Sequence, residues 1–315
     1  KIASIFPGMP ASRAGFKVDD VIAKINGENA DGYDERQIVR KLRGDIDSDV
    51  TLTVLRPDNT EYTAKITRAL IIPPTVTYVR DGDVAVIKLT GFNQATTIRL
   101  QDAIEQAQKE IGEDMAGIVL DLRGNPGGLL DQAISVADLF LEEGVVTSTR
   151  GRHPDSGHVY RSGGGAIATK TPMVIMINGR SASAAEIVAA ALQDRGRAVV
   201  IGTNSYGKGS VQTVVRLPNE GELTLTWSRL YAPSGYSWHE IGVMPTVCTS
   251  DLAGEGENLS SQFGERTRRM TEVIALWHAN RTPPTEKLTK LRETCKPSDT
   301  ENEKDTRVAV RMLRD

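Results

Sequence analysis

Met173-Val174-Ile175-Met176-Ile177 runs into Asn178-Gly179-Arg180-Ser181-Ala182-Ser183-Ala184-Ala185-Glu186-Ile187. The first five residues are uniformly apolar and predict a strand over Val174–Ile177; the next few are small and turn-forming; a helix is predicted over Ser183–Asp194. Working outward, the same alternation repeats. Upstream lie a strand over Val84–Leu89, a helix over Thr97–Ile111, a strand over Gly117–Leu122 and a helix over Leu129–Phe140. Downstream a strand over Ala198–Gly202 precedes an antiparallel pair, Val211–Leu217 with Leu223–Leu230. Strand and helix in alternation indicate an α/β architecture. The helix over Thr97–Ile111 carries Leu100, Ile104, Ala107 and Ile111 on one face, which is a core stripe.

The flanks differ in kind. Residues 1–70 read as β-rich, with strands over Lys1–Phe6, Asp20–Asn26, Val50–Arg56 and Glu61–Thr67. One helix, Tyr33–Arg43, is expected there, with Gly44 as its stop. Ile71-Ile72-Pro73-Pro74 reads as a semi-rigid linker. Gly151–Gly165, which contains His153 and His158, reads as an exposed loop. From about residue 249 a charged helical tail is expected, with helices over Arg268–His278 and Glu286–Thr294 serving as a packing or oligomerisation arm. A chain of 315 residues exceeds one ordinary core, so two or three domains are expected. With 39% hydrophobic and 25% charged residues the composition is that of a globular protein. A net charge of −3 offers nucleic acid no basic field. No apolar run reaches the roughly 18 to 20 residues that span a bilayer. The chain opens at Lys1 without a leader, which reads as a piece of a longer precursor. Cys248 and Cys295 are not in a C-x-x-C pattern, so no metal site is expected. They are either two thiols or a disulfide worth about 3 to 4 kcal/mol.

Two segments carry chemistry. In the turn around Ser183, small neighbours admit a substrate backbone, and the helix start offers free N–H groups to an oxyanion. Ser183-x-x-Glu186 is equally a capping box, in which the serine only satisfies a backbone donor. The second segment is Ile201-Gly202-Thr203-Asn204-Ser205-Tyr206-Gly207-Lys208-Gly209-Ser210-Val211-Gln212. It approaches a phosphate-binding loop but fails twice: Gly209 stands where a hydroxyl must reach magnesium, and a strand follows where a helix is needed. Lys208 between glycines suggests instead a desolvated lysine, whose lowered pKa lets it accept a proton from serine.

Together Asp121-Leu122-Arg123-Gly124-Asn125-Pro126-Gly127-Gly128, the Ser181–Ile187 turn and Tyr206–Gln212 resemble the C-terminal processing (tail-specific) protease family, including the step of 25 residues from Ser183 to Lys208. The resemblance implies Ser183 as nucleophile, Lys208 as general base and Gln212 orienting the lysine from the same face. It further implies an oxyanion hole from the N–H of Ala184 and that of Gly127 or Gly128. Ser181 lies two positions off the motif, and Glu186 is read as helix-terminal support. No metal or cofactor is implied. Pro10–Gly27 resembles the PDZ signature, with Asp19-Asp20 where that family usually has Gly-Asp. The carboxylate-binding loop of such a domain would lie before Lys1.

The fold so implied is α/β (α+β): a protease core resembling the ClpP/crotonase-like spiral of β-β-α units, after a truncated PDZ-like domain and before a helical tail. The boundaries are 1–70 for the PDZ-like domain, 71–76 for the linker, 77–248 for the core with a loop or cap insertion near 145–168, and 249–315 for the tail. The family implies an exported, periplasmic protein, a homo-oligomer built through terminal helices, protein or peptide substrates with accessible C-termini, and an adaptor protein as a partner. Three rival readings stand beside it. One is a histidine-based triad using His239, while His278, beside Trp277 in the tail, reads as packing. Another is a peptide-binding scaffold with weak or latent protease activity. The third is a hydratase or isomerase on the same spiral fold.

Overall fold

A computed structural model of the chain describes residues 1–219, 221–250, 267, 268, 270–276 and 285–315. Contacts divide it into two compact units, Lys1–Pro73 and Pro74–Asp315.

In the first unit, β1 (Val21–Ile25), β2 (Glu28–Asn29), β3 (Asp49–Leu55) and β4 (Glu61–Thr67) form one sheet in the order β2-β1-β3-β4. Alternate residues of β3, Val50, Leu52 and Val54, point inward and meet Phe16, Ile25 and Ile66. Helix α1 (Pro10–Arg13) precedes the sheet, and α2 (Glu35–Leu42) opens with a capping box between Asp34 and Gln37. Lys1–Phe6 is not a strand. Ile2 bonds to the turn before β1, its N–H donating to Asp20 O and its carbonyl accepting from Asp19 N, while Ile2 and Ile5 pack on the unit's core. Asp19 has φ +76°, which explains why glycine suits this position in the signature. Gly44 does not form a left-handed stop either. The carbonyls of Lys41 and Leu42 are capped by the Arg68 guanidinium, and a Cβ on Gly44 would lie 2.8 Å from Arg68 Cζ.

The second unit is built on a six-stranded sheet. Its strands are β5 (Val76–Asp81), β6 (Val84–Leu89), β7 (Gly117–Asp121), β10 (Met173–Ile177), β11 (Val199–Gly202) and β14 (Val247–Cys248). The order is β14-β11-β10-β7-β6-β5, parallel throughout except for β5. Both faces of the central strands are covered, so β7, β10 and β11 are apolar at nearly every position. On one face Ile118, Leu120, Ile175 and Ile177 share a core with α3 (Thr96–Ile111), α4 (Leu130–Asp138) and α5 (Ala184–Asp194). On the other, Val119, Val174, Met176 and Ile201 pack on Val308, Ala309 and Val310 of the C-terminal helix Glu303–Arg314. That helix is not legible in the sequence, because its apolar stripe is only a few residues wide.

The region 145–168 is not simply a loop. β8 (Val145–Arg150) and β9 (His158–Arg161) pair with each other, and with β12 (Ser210–Arg216) and β13 (Glu222–Tyr231) they complete a four-stranded sheet in the order β12-β13-β8-β9. In the tail, residues 270–276 and Thr285–Glu293 are helical, while His278 and Trp277 lie outside the described residues. Cys248 and Cys295 form a disulfide. No described helix is long and apolar enough to cross a membrane.

Candidate active site

Three neighbouring parallel strands bring the three motifs together. β7, β10 and β11 lie side by side, and the Arg123–Gly128 turn, the Ser183 turn and the Lys208 loop each follow the carboxyl end of one of them. Loops after adjacent parallel strands share one crevice, which is where open α/β sheets bind ligands. A cleft of about 480 Å³ is lined there by Gly128, Ser183, Ala184, Lys208, Ser210 and Gln212, among others.

Ser183 is half-buried at the start of α5 with φ +56° and ψ −113°. An ordinary capping serine has extended φ/ψ, so this residue is held in a strained turn of the kind that exposes a nucleophile. Gly127 makes room for it: a Cβ there would lie 2.8 Å from Ser183 Cβ and 2.9 Å from Ala184 N. Among the described residues, the N–H groups of Ala184 and Gly128 donate no hydrogen bond within the chain, whereas that of Gly127 is spent on Asn125 Oδ1 at 2.8 Å. Of the two glycines, Gly128 therefore has the donor to offer. Ser181 is fully buried, donating to Leu122 O and accepting from Asn178 N, and it has no access to the cleft.

Lys208 departs from expectation. It is exposed, not desolvated, and among the described residues no hydrogen bond joins it to Ser183. The flanking glycines have another cause. They let the loop lie flat on the neighbouring turn, since a Cβ on Gly207 would meet Ile241 N and one on Gly209 would meet His239 N, each at 2.9 Å. β12 begins only at Ser210, and a bulge falls between Val211 and Gln212, so simple alternation does not run through from Lys208. Lys208, Ser210 and Gln212 nevertheless line the same cleft. Gln212 is exposed within it.

Glu186 does more than support a helix end. Its carboxylate is fully buried and serves four donors. Oε2 accepts from Ser183 N and from Lys208 N, each at 2.8 Å; Oε1 accepts from Ser205 Oγ at 2.5 Å and Gly207 N at 2.6 Å. The backbones of Ser183 and Lys208 thus meet on one oxygen. Burial raises the Glu186 pKa above the usual carboxylate range, and the four hydrogen bonds oppose that rise. The capping-box pattern signalled the bond to Ser183 N, but nothing in the spacing signalled the other three.

A second buried network lies beside it. Arg123 is paired with Asp121 at 2.8 Å and with Asp305 at 3.4 Å. His239 is not among the residues that line the cleft; its pKa is lowered by burial and by Arg229. His153 stacks on Trp227 and His158 lies on β9, both outside the cleft. No cluster of metal-ligating side chains occurs among the described residues.

Comparison with known proteins bears on both units. Residues 83–249 match peptidase family S41, and residues 1–56 match a PDZ domain. Over 249 residues, 78% of this chain and 57% of the relative, the sequence is 43% identical to a carboxy-terminal-processing protease of Bartonella bacilliformis. Over 247 residues it is 36% identical to a probable CtpA-like serine protease of Staphylococcus aureus, covering 78% of this chain and 49% of that protein. The chain thus spans about half the length of the curated relatives it matches. Among solved structures it is similar to a photosystem II D1 C-terminal processing protease, at 29% identity and a TM-score of 0.51, covering 78% of this chain and 68% of that one.

Proposed function

Since the chain belongs to peptidase family S41, we propose that it is a serine endopeptidase of the C-terminal processing type, which cleaves protein substrates near their C-termini through a Ser183–Lys208 dyad assisted by Gln212. The observation that carries this reading is the shared Glu186 oxygen, which holds the nucleophile's backbone and the lysine's backbone together at the mouth of one cleft. A capping serine and an unrelated surface lysine would have no need of it.

The chemistry is acyl transfer. Neutral Lys208 Nζ takes the proton from Ser183 Oγ as that oxygen attacks a peptide carbonyl. The N–H groups of Ala184 and Gly128 receive the oxyanion, helped by the positive end of α5. The lysine then passes the proton to the leaving amine, and water hydrolyses the acyl-enzyme. Lys208 stands open in the cleft, and the approach of its Nζ to Ser183 Oγ is the step that closes the dyad. Gln212 would hold Nζ as it does so. The same reading carries a spiral of β-β-α units for the core, a periplasmic location, and an oligomer that receives its substrates directly or from an adaptor.

The exposure of Lys208 also favours a second reading, a PDZ-containing scaffold with latent activity. Proteolysis of an unstructured protein by the wild type, Lys208→Ala and His239→Ala separates these readings. The dyad predicts loss only in Lys208→Ala; activity that survives there and disappears in His239→Ala would mean a histidine base, and a wild type without activity would leave the scaffold.

A further inference from the structure

The last part of the chain runs across the backs of all three loops. Cys295 is tied to Cys248, the final residue of β14. Beside it, Arg292 reaches the lysine loop: Nη1 donates to Glu240 O at 2.7 Å, and Nη2 donates to Tyr206 O at 3.2 Å and Ser205 O at 3.3 Å. Ser298 then donates its N–H to Thr203 Oγ1 at 3.1 Å and accepts from Gly179 N at 2.7 Å. Asp299 O accepts from Asn178 Nδ2. Finally Asn302 O and Thr306 Oγ1 accept from Arg123, at 2.6 and 3.1 Å. From Cys295 onward the segment therefore meets the carboxyl ends of β14, β11, β10 and β7 in their order across the sheet.

We propose that residues 292–306 are a positioning strap for the site, pinned by the disulfide, and that Arg292 is the positioning residue for Lys208. This inference rests on the Ser183–Lys208 reading. The segment Ser205–Lys208 is gripped from two sides. Glu186 accepts from its N–H groups and the Ser205 hydroxyl, while Arg292 donates to its carbonyls. A guanidinium suits this task, because its rigid fork supplies several donors at fixed angles where an ammonium supplies one point charge. Without Arg292 the Ser205 and Tyr206 carbonyls turn to water, and Tyr206, two residues before Lys208, keeps only the bond from its N–H to Ser181 O. Displacement of a reacting group by about 1 Å costs on the order of 100-fold in rate.

The test is the reaction of a fluorophosphonate with Ser183, followed across pH in the full chain. The proteins compared are the wild type, Arg292→Ala, Arg292→Lys and the double variant Cys248→Ser/Cys295→Ser, with thermal melting measured on each. Arg292→Ala is expected to lower the inactivation rate constant about 10- to 100-fold, to leave the inhibitor's apparent affinity within about threefold, and to shift the pH profile that reports Lys208. Arg292→Lys is expected to recover part of the rate, and the cysteine variant to show the same loss as Arg292→Ala. Arg292→Ala protein that melts cooperatively and reacts with the wild-type rate and profile overturns the proposal. So does a loss no larger than the unfolded fraction. An unreactive Ser183 in the wild type, by contrast, removes the dyad reading and this inference with it.

Discussion

A serine that merely capped α5 would have no cause to sit at φ +56°, a conformation that costs about 1 to 3 kcal/mol for a residue with a Cβ. The strain is tolerated because Glu186 fixes Ser183 N and Gly127 vacates the space behind its side chain. Gly127→Ala is accordingly expected to displace Ser183 and abolish activity, whereas a fold unchanged by circular dichroism should survive. Glu186 carries a pH signature whose sign differs between stability and activity. Its pKa is raised in the fold above 4.5, so its contribution to stability is complete below that value and is lost as pH rises through the folded pKa. At the site, protonation removes an acceptor from a carboxylate that serves four donors. Activity is therefore expected to fall as pH drops, with an acid limb in kcat/KM centred above the ordinary glutamate value. Glu186→Gln should lower kcat about 10- to 100-fold, since it leaves a buried donor facing donors at about 1 to 3 kcal/mol each; steady-state kinetics on a quenched peptide would read both effects.

At the scale of elements, what the sequence makes legible is the alternation of strand and helix, because β7, β10 and β11 are apolar at nearly every position and end in turns of small residues. The approach of their three loops follows from that alternation only once strand order is known, and order is a property of the sheet. Lys208 shows the opposite case. Glycines on either side of it suggested a buried lysine, but they serve the packing of Gly207 and Gly209 against Ile241 and His239. β8 and β9 were hidden for a related reason: two short strands of mixed polarity, joined through Gly151, Pro154 and Gly157, have the composition of a loop until β13 pairs with β8. The Asp121–Arg123–Asp305 cluster joins β7 to the C-terminal helix across 182 residues of sequence, a distance at which no local pattern reports. Arg123→Ala would leave two carboxylates buried without their cation. It is expected to cost about 3 to 5 kcal/mol in urea-induced unfolding.

For the molecule as a whole, the two units were separable in the sequence because Pro73-Pro74 interrupts an otherwise continuous run of patterned segments, and each unit has its own core. The state of the two cysteines was not separable, since spacing alone permits thiols or a bridge. The bridge joins β14 to the tail, and Cys248→Ser/Cys295→Ser is expected to lose about 3 to 4 kcal/mol of stability in denaturant titration under oxidising conditions. The central claim is that Ser183 is a nucleophile activated by Lys208, and intact-protein mass spectrometry after fluorophosphonate treatment tests it most directly. One adduct per chain, located on Ser183 and absent from folded Lys208→Ala protein, is the predicted result; an adduct on another serine, or undiminished labelling of Lys208→Ala, would contradict it.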